Sequence, residues 1–379
     1  MTSTRRPRPL VGKHEADVVV LGAGLAGLTT ALALVAPGRR VAVVEAATVA
    51  SGGSPADLGH LATGLGTPYT RAVAQYGSKA AQTIWELHRE SHERLRSTLD
   101  TFRGDCGYQK KGGFLLARDR AEGLELADSE DALRDDGFAG EFLDHYMLEA
   151  RFDVRGFTGA YWAADDGEVE PVSLLEGLAD EAVGRAVALF EASPVLELEA
   201  DARGVRTRAA SGEVHAPVAV LALGAGASSL VPTLAAVLRP LPARQLVCAC
   251  PVGPAFPSPV RTVGTGLAWR LDQDFRLAAF GASAVGAESL DGALRTHFVA
   301  PPQPQGRWAG MLSTSPDGLP LVGPLPGSPL VAVLGLGTLG PSWAFVAARW
   351  AAEAVSRGVD AAPALLRASR FAAASPPAG

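Results

Sequence analysis

The sequence predicts an α/β fold, α+β overall, in which a module of parallel strands and helices carries a second module built on an antiparallel sheet. The first observation is that three apolar strands far apart in the chain, at residues 17–21, 217–223 and 330–334, each end in a glycine-rich turn. The second is that strand-like segments separated by turn residues, at 245–251 and 268–271, are typical of antiparallel pairing.

Length and composition limit the class of protein. The chain has 379 residues, which suits two domains. Its 47% hydrophobic and 20% charged residues are typical of globular proteins, and the formal net charge of −6 argues against nucleic acid as a partner. Cys106, Cys248 and Cys250 give no even-numbered disulfide framework, and no cluster has metal-ligand spacing. We therefore expect a cytoplasmic protein without a metal site.

The two ends of the chain are predicted to lie outside the folded modules. Residues 1–14 are basic and contain proline without a following long apolar segment, so we expect a disordered tail and not a signal peptide. Residues 369–379 are rich in alanine and proline and are expected to fray. The apolar stretch 330–348 contains three glycines and a proline, so it is predicted to form a binding loop and not a membrane span.

The N-terminal turn, Gly22-Ala23-Gly24-Leu25-Ala26-Gly27, lies between a short apolar strand and an apolar helix. Gly22 allows a tight turn, Gly24 lets the backbone approach a pyrophosphate, and Gly27 lets the helix lie close to the strand. The N–H groups at the helix N-terminus favour phosphate. Glu45, eighteen residues after Gly27, has the spacing of an acid that binds ribose hydroxyls. The unit is therefore predicted to bind a dinucleotide.

Two later segments repeat the strand-and-turn pattern. The strand at 217–223 continues into a turn at 224–228, and the strand at 330–334 continues into a turn at 335–340 that starts a helix over 342–357. Ligands of open α/β sheets lie at the carboxyl ends of the strands. We therefore expect the three turns to converge on one ligand.

The same pattern divides the chain into two discontinuous modules. Residues 15–100, 165–235 and 306–368 are predicted to form the nucleotide-binding module. Residues 101–164 and 236–305 are predicted to form the sheet-rich module, which is inserted twice into the first.

Four segments together resemble the D-amino-acid oxidase family, which includes glycine, sarcosine and γ-glutamylputrescine oxidases. They are Ser51-Gly52-Gly53-Ser54, the turn at 224–228, residues 308–311 and the segment Asp317-Gly318-Leu319-Pro320. The resemblance covers residues 17–357. It implies a Rossmann-like FAD-binding domain of the glutathione-reductase type with a discontinuous antiparallel-sheet substrate domain.

The resemblance also implies where FAD binds. Its adenine half would lie on the N-terminal turn, and the last glycine-rich turn would point a helix N-terminus at the flavin pyrimidine, where negative charge develops on reduction. The expected cofactor-binding residues are Gly22, Ala23, Gly24, Leu25, Ala26, Gly27, Glu45, Ala46, Ser51, Gly52, Gly53, Ser54, Gly59, Val195, Gly224, Gly226, Gly310, Gly337, Thr338, Leu339 and Gly340.

Three single positions, and the segment Pro55-Ala56-Asp57-Leu58-Gly59 in place of a Gly-Arg-Asn-Gly-Gly, differ from the family pattern. Many members carry a flavin-linking cysteine where this chain has Gly310, so we expect FAD to be bound non-covalently. Members that oxidise amino acids place an arginine where this chain has Leu312, so the usual arginine–carboxylate clamp is missing from its normal site. A histidine of the last turn is replaced by Leu336. These differences leave the substrate open.

Candidates for the catalytic pocket are His60, Trp269, Arg270 and Met311. His60 follows the segment that runs beside the flavin, although a histidine there can also be a hydrogen-bonded core residue. Trp269 and Arg270 could wall the pocket by packing and by charge, and Met311 either lines the flavin ring or packs in the core. The pair at 165–166 is predicted to be a turn and not an acid–base dyad.

The function predicted from these features is that of an FAD-dependent oxidoreductase. It would take a hydride from the carbon beside an amine nitrogen of a small amine or amino acid, giving an imine. Oxygen or another electron acceptor would complete the reaction, with oxygen giving hydrogen peroxide. One alternative is a flavin dehydrogenase of a 2-hydroxy acid, which requires His60 as a general base near the flavin. Another is the flavin subunit of a larger complex.

Overall fold

A computed structural model of the chain describes residues 7–102, 104–152, 156–249, 256–264, 266–272, 276–282, 290, 292, 294 and 303–374. Cys250 and the outermost residues of the two predicted tails, 1–6 and 375–379, lie outside the described residues.

The described strands are β1 (Gly12–Glu15), β2 (Val18–Leu21), β3 (Val41–Val44), β4 (His60–Leu61), β5 (Gly113–Ala117), β6 (Gly140–Asp144), β7 (Gly159–Ala163), β8 (Gly167–Glu168), β9 (Ala188–Phe190), β10 (Glu197–Asp201), β11 (Gly204–Arg208), β12 (Gly212–Ala216), β13 (Val218–Leu221), β14 (Arg239–Cys248), β15 (Val260–Thr262), β16 (Leu267–Leu271), β17 (Leu277–Ala282), β18 (Pro304–Thr314), β19 (Leu321–Pro324) and β20 (Leu330–Leu334). The described α-helices are α1 (Leu25–Leu34), α2 (Tyr69–Tyr76), α3 (Ser78–Leu99), α4 (Arg120–Asp135), α5 (His145–Phe152), α6 (Pro171–Gly184), α7 (Ala227–Leu230) and α8 (Gly340–Arg357).

A six-stranded sheet holds the three strands that the sequence singles out. Its order is β19-β20-β13-β2-β3-β9, and its neighbouring strands are parallel except for β19 and β20. Val18 of β2 lies opposite Val218 of β13 on one side and Val41 of β3 on the other. Because these strands run in parallel, the turns that follow β2, β13 and β20 lie at one edge of the sheet.

A second, eight-stranded sheet has the order β18-β14-β17-β16-β15-β5-β7-β6. All neighbours are antiparallel except β15 and β5. β18 pairs along the whole of β14, so residues 304–314 belong to this sheet. Two smaller sheets complete the fold, β1-β12-β11-β10 and β4-β8. The mixed α/β and α+β fold expected from the sequence is confirmed.

β14 begins six residues before the strand predicted at 245–251. Its first part contains Pro240 and Pro242, which cannot donate a backbone hydrogen bond. In the structure these residues pair only with β18, because β17 joins β14 from Ala243 onward. Proline is tolerated where one side of a strand has no neighbour.

α1 packs between the sheet and α8, and it is buried on nearly every side. Its contact with the sheet depends on Gly27, where an added Cβ would lie 1.9 Å from the carbonyl oxygen of Gly22. α8 ends at Gly358, whose φ of +66° gives the left-handed cap expected of glycine.

The expectation of a disordered tail over residues 1–14 is wrong for the described residues of that segment. Leu10 is buried, its backbone N–H donates to the Ser193 hydroxyl, and β1 pairs in parallel with β12. The expected fraying from residue 369 is also wrong at Arg370, whose guanidinium donates to Asp317 and to backbone carbonyls. Each segment carries a residue, Leu10 or Arg370, that is held by contacts with a distant part of the chain.

Among the residues that the structure describes, no helix combines the length and the apolar character needed to cross a membrane.

The Gly27→Ala variant is expected to have a lower free energy of unfolding by about 2–3 kcal/mol, at the upper end of overpacking costs. The clash with the Gly22 carbonyl outweighs the roughly 1 kcal/mol that alanine gains over glycine in a helix. Chemical denaturation of FAD-free protein measures the change. Gly184→Ala is the control, because that exposed glycine ends α6 and its added Cβ meets no atom within 4 Å. A Gly27→Ala variant as stable as the unmodified protein would contradict the packing argument.

Candidate active site

A cleft of about 520 Å³ opens at the carboxyl ends of β2, β3, β13 and β20. It brings together all three glycine-rich turns, although they are separated by up to three hundred residues of sequence. The residues predicted from sequence that line it are Gly22, Gly24, Leu25, Ala26, Glu45, Ala46, Gly52, Gly53, Ser54, Val195, Gly224, Gly226, Met311, Gly337 and Gly340. The other predicted cofactor-binding residues are not part of this lining: Ala23, Gly27, Ser51, Gly59, Gly310, Thr338 and Leu339.

The N-terminal turn shows the geometry that its glycines imply. Gly22 has a φ of +100°, and an added Cβ would lie 2.5 Å from the carbonyl oxygen of Ala222. Only glycine fits such a backbone conformation and such a close approach without strain.

The floor of the cleft is bare backbone, which suits a phosphate-bearing ligand. A Cβ added at Gly52 or Gly226 would meet no atom within 4 Å, and one added at Gly24 would meet only the Ser54 hydroxyl, at 3.1 Å. The N-cap residues, Gly24 of α1 and Leu339 of α8, supply no side-chain hydrogen bond, and the first N–H of α1, at Leu25, donates to the Ser54 hydroxyl at 3.2 Å. These helix N-termini carry partial positive charge, so the residues present fit a dinucleotide such as FAD.

Glu45 fixes the backbone around the N-terminal turn. One carboxylate oxygen accepts a hydrogen bond from the Ala23 N–H at 2.8 Å, and the other accepts one from the Ala47 N–H at 3.0 Å. Each oxygen keeps a second lone pair for a ribose hydroxyl. Glu45 therefore shapes the turn as well as offering acceptors to a ligand.

Met311 and Leu312 of β18 form an apolar wall of the cleft. Met311 is 47% exposed, whereas Leu312 packs beside a buried apolar cluster that includes Ala243 and Phe280. A Cβ added at Gly53 would lie 3.1 Å from the Leu312 side chain. The wall is thus close to the segment Ser51-Gly52-Gly53-Ser54.

Asp57 brings a buried carboxyl group to the cleft. It accepts a hydrogen bond from the Gly59 N–H at 2.7 Å. Burial raises the pKa of Asp57 to about 6, and the positive charges of Arg261 and Arg270 oppose that rise.

Behind the cleft, a chain of buried hydrogen bonds runs through Arg261, His60 and Asp166. The Arg261 Nε donates to His60 Nδ1 at 3.0 Å, and His60 Nε2 lies 3.1 Å from Asp166 Oδ2. The other oxygen of Asp166 accepts from the Thr63 N–H at 2.6 Å. Antiparallel pairing of β4 with β8 sets His60 opposite Glu168, two residues along the chain from Asp166.

These hydrogen bonds determine which ring nitrogen of His60 carries the proton. Arginine can only donate, so Nδ1 of His60 must be the acceptor and the ring proton is on Nε2, where it is donated to Asp166. Burial and the charges of Arg261 and Arg270 hold the pKa of His60 well below its ordinary value. Burial also raises the pKa of Asp166 to about 7, against the opposing Thr63 N–H. Neither ring nitrogen of His60 is left to take a proton from a substrate.

The remaining pocket candidates lie on β16 and point in opposite directions. Arg270 is buried and its guanidinium forms an ion pair with Glu170 at 2.5 Å. Trp269 packs in a separate apolar cluster, near Phe256. Neither of them lines the cleft, whereas Met311 does.

Sequence reasoning missed Asp57, Asp166 and Arg261. The turn predicted at residues 165–166 is present at Asp165. Asp166 follows the turn, and its side chain is hydrogen-bonded to His60. His60 is 106 residues from Asp166 and 201 residues from Arg261, so no local spacing signals the cluster. In the part of the chain that the structure describes, no group of His, Cys, Asp or Glu residues has the arrangement of a metal site.

Residues 17–354 match the model of the family described as FAD dependent oxidoreductase (DAO). Two curated relatives are similar over part of the chain. Gamma-glutamylputrescine oxidoreductase of Escherichia coli is 27% identical over 206 residues, 54% of this chain and 48% of the relative. Glycine oxidase of Bacillus licheniformis is 28% identical over 214 residues, 56% of this chain and 55% of the relative. The chain spans about half the length of the curated relatives it matches.

The crystal structure of glycine oxidase from Geobacillus kaustophilus is similar in fold, with a TM-score of 0.78 and 23% identity. The match covers 94% of this chain and 99% of that one. Since the family model matches nearly the whole chain, this protein belongs to the FAD dependent oxidoreductase (DAO) family.

Proposed function

We propose that this protein binds FAD in the cleft and takes a hydride from the carbon beside the nitrogen of a small amine or amino acid. The observation that carries the proposal is the convergence of three glycine-rich turns and the N-termini of two helices on one cleft of about 520 Å³. When bound, FAD supplies the two-electron hydride acceptor. The chain supplies binding, orientation and the electrostatic environment.

The cleft residues fall into groups suited to the parts of FAD. The N-terminal turn and Glu45 fit the adenosine and pyrophosphate, because they offer bare backbone and carboxylate acceptors. The turn at 337–340 and the N-terminus of α8 fit the flavin pyrimidine, where a helix N-terminus stabilises negative charge. Met311 and Leu312 suit the apolar ring system.

Non-covalent binding is supported by the surroundings of Gly310. A Cβ added there would lie 2.0 Å from the Trp308 ring, so a cysteine at this position would displace that ring. Cys106 and Cys248 are buried and are not part of the cleft lining.

The state of His60 favours an amine over an alcohol as substrate. Oxidation of a 2-hydroxy acid requires a general base beside the flavin. His60 accepts from Arg261 and donates to Asp166, and it is not part of the cleft lining. A neutral amine needs no such base, because its lone pair assists hydride loss.

The apolar wall also bears on the substrate. Leu312 stands where the family resemblance implies an arginine for the substrate carboxylate, and it adjoins the cluster of Ala243, Ala268 and Phe280. We propose that the group of the substrate nearest to Leu312 is uncharged. The printed names of the relatives, a γ-glutamylputrescine oxidoreductase and a glycine oxidase, support a C–N substrate. Oxygen as the acceptor, a cytoplasmic location and the two-module division remain parts of the proposal.

Replacing Glu45 with glutamine is expected to weaken FAD binding about tenfold. A glutamine offers one acceptor oxygen, so either the Ala23 or the Ala47 N–H loses its partner, at a cost of about 1–3 kcal/mol. Titration of flavin fluorescence with FAD-free protein measures the dissociation constant. Glu15→Gln is the control, because Glu15 is exposed on β1. Equal affinity in the Glu45→Gln variant would show that Glu45 has no part in shaping the site.

Acid precipitation of the holoprotein is expected to release all FAD into the supernatant. The described cysteines lie away from the cleft, and Gly310 has no room for one beside Trp308. Absorbance of pellet and supernatant measures the partition. Flavin that remains with the washed pellet would contradict non-covalent binding.

Matched pairs of substrates distinguish amine from alcohol oxidation. We expect glycine, N-methylglycine or benzylamine to bleach the visible flavin absorbance under anaerobic conditions, and glycolate and benzyl alcohol to leave it unchanged. Admission of oxygen then tests for peroxide. Bleaching by the alcohol member of a pair and not by the amine would overturn the proposal. The alternative, a flavin subunit of a larger complex, would be favoured by two results together: none of these substrates reduces the flavin, and the protein purifies with a stable partner.

A further inference from the structure

We propose that Arg261 is a positioning residue for the cofactor: held by His60, it fixes the turn at Thr338 and places a buried positive charge behind the cleft. The inference rests on the proposed binding of FAD in that cleft.

The first argument is the geometry of the guanidinium. Arg261 lies on β15 of the eight-stranded sheet, whereas Thr338 lies in the turn after β20 of the six-stranded sheet. The Arg261 Nη2 donates to the Thr338 carbonyl oxygen at 2.9 Å, while its Nε donates to His60 at 3.0 Å. The planar fork of arginine makes both bonds at once in fixed directions. Arg261 thus ties the turn that starts α8 to the opposite sheet.

The second argument is the rigidity of the support behind Arg261. Asp166 accepts from both His60 and the Thr63 N–H, which fixes the ring and its tautomer. A Cβ added at Gly113 would lie 2.6 Å from Asp166 Oδ2 and equally close to His60 Nε2. The Gly113 backbone thus packs directly against the pair on one side, where a side chain would displace His60 or Asp166.

The third argument is charge. Arg261 is only 7% exposed, and both of its hydrogen-bond acceptors in the described chain, an imidazole nitrogen and a peptide carbonyl, are neutral. No described carboxylate lies within 4.0 Å of it, and Asp57 and Asp166 compensate its charge only from further away. A buried cation without a direct counter-ion is costly. It favours additional negative charge in the adjoining cleft, which reduction of a flavin supplies.

Two consequences can be separated. The bonds to Thr338 and His60 hold the turn, so their loss weakens FAD binding. The charge favours the reduced cofactor over the oxidised one, so its loss lowers the reduction potential. A residue that only supports the fold would change the stability of the protein without moving the potential.

The test compares Arg261→Gln and Arg261→Lys with the unmodified holoprotein. Arg349→Gln is the control, because Arg349 lies on α8, the helix that follows Thr338, and forms its ion pairs, with Glu90 and Glu353, outside the cleft. The dissociation constant for FAD is measured by fluorescence titration, and the midpoint potential by spectral titration against a redox dye. Thermal melting of the FAD-free proteins checks that each variant folds.

For Arg261→Gln we expect FAD binding at least tenfold weaker and a tenfold lower equilibrium constant for reduction, about 30 mV for a two-electron couple. For Arg261→Lys we expect weaker binding with a potential close to that of the unmodified protein, because the charge stays while the fork is lost. If Arg261→Gln does not fold, Arg261→Lys alone decides, and unmodified FAD affinity in that variant overturns the positioning role.

An unmodified protein that binds FAD, together with an Arg261→Gln variant of equal affinity and potential, overturns this inference and leaves the proposed function intact. An unmodified protein that binds no FAD overturns the proposed function, and this inference with it. A control variant that shifts as much as Arg261→Gln would also overturn the inference.

Discussion

The parallel pairing of β2, β13 and β20 is the constraint on which the rest of the structure depends. These strands come from the beginning, middle and end of the chain, and their registers place three glycine-rich turns at one sheet edge. Gly27 then allows α1 to lie against the Gly22 carbonyl, which points the helix N-terminus into the cleft. Bulkier residues at these glycines would push the helix away, and its N–H groups would no longer face the cleft.

The cofactor side of the site was predictable because its signals are local. A strand, a glycine-rich turn, a helix and Glu45 occupy one short segment, and each glycine has a steric reason that the sequence reveals. The repetition of strand and turn at β13 and β20 indicated convergence, since ligands lie at the carboxyl ends of parallel strands. Element boundaries differed where pairing decided them, as in the proline-containing start of β14.

The chemistry behind the cleft was not predictable, because its contacts join residues far apart in the chain. His60 was a candidate base from its position alone, and only the structure shows that both ring nitrogens are engaged. The identity of the partners decides the outcome: an arginine at Nδ1 excludes protonation there, whereas a carbonyl would have required it. Likewise Arg270 was a candidate for charge in the pocket, whereas in the structure its guanidinium forms an ion pair with Glu170 away from the cleft lining.

The bond between Arg261 and Thr338 makes the two sheets interdependent. β15 pairs with β16, whose Ala268 belongs with Phe280 to the buried apolar cluster against which Leu312 of the cleft wall packs. Arg261 of the same sheet brings its positive charge to the turn before α8, where it donates to the Thr338 carbonyl. Apolar substitutions in that cluster can therefore alter substrate fit while Arg261 keeps its contacts. Under the proposed function, a shift of β15 would alter cofactor electrostatics and substrate fit together, because Arg261 pairs with Ala268 of β16.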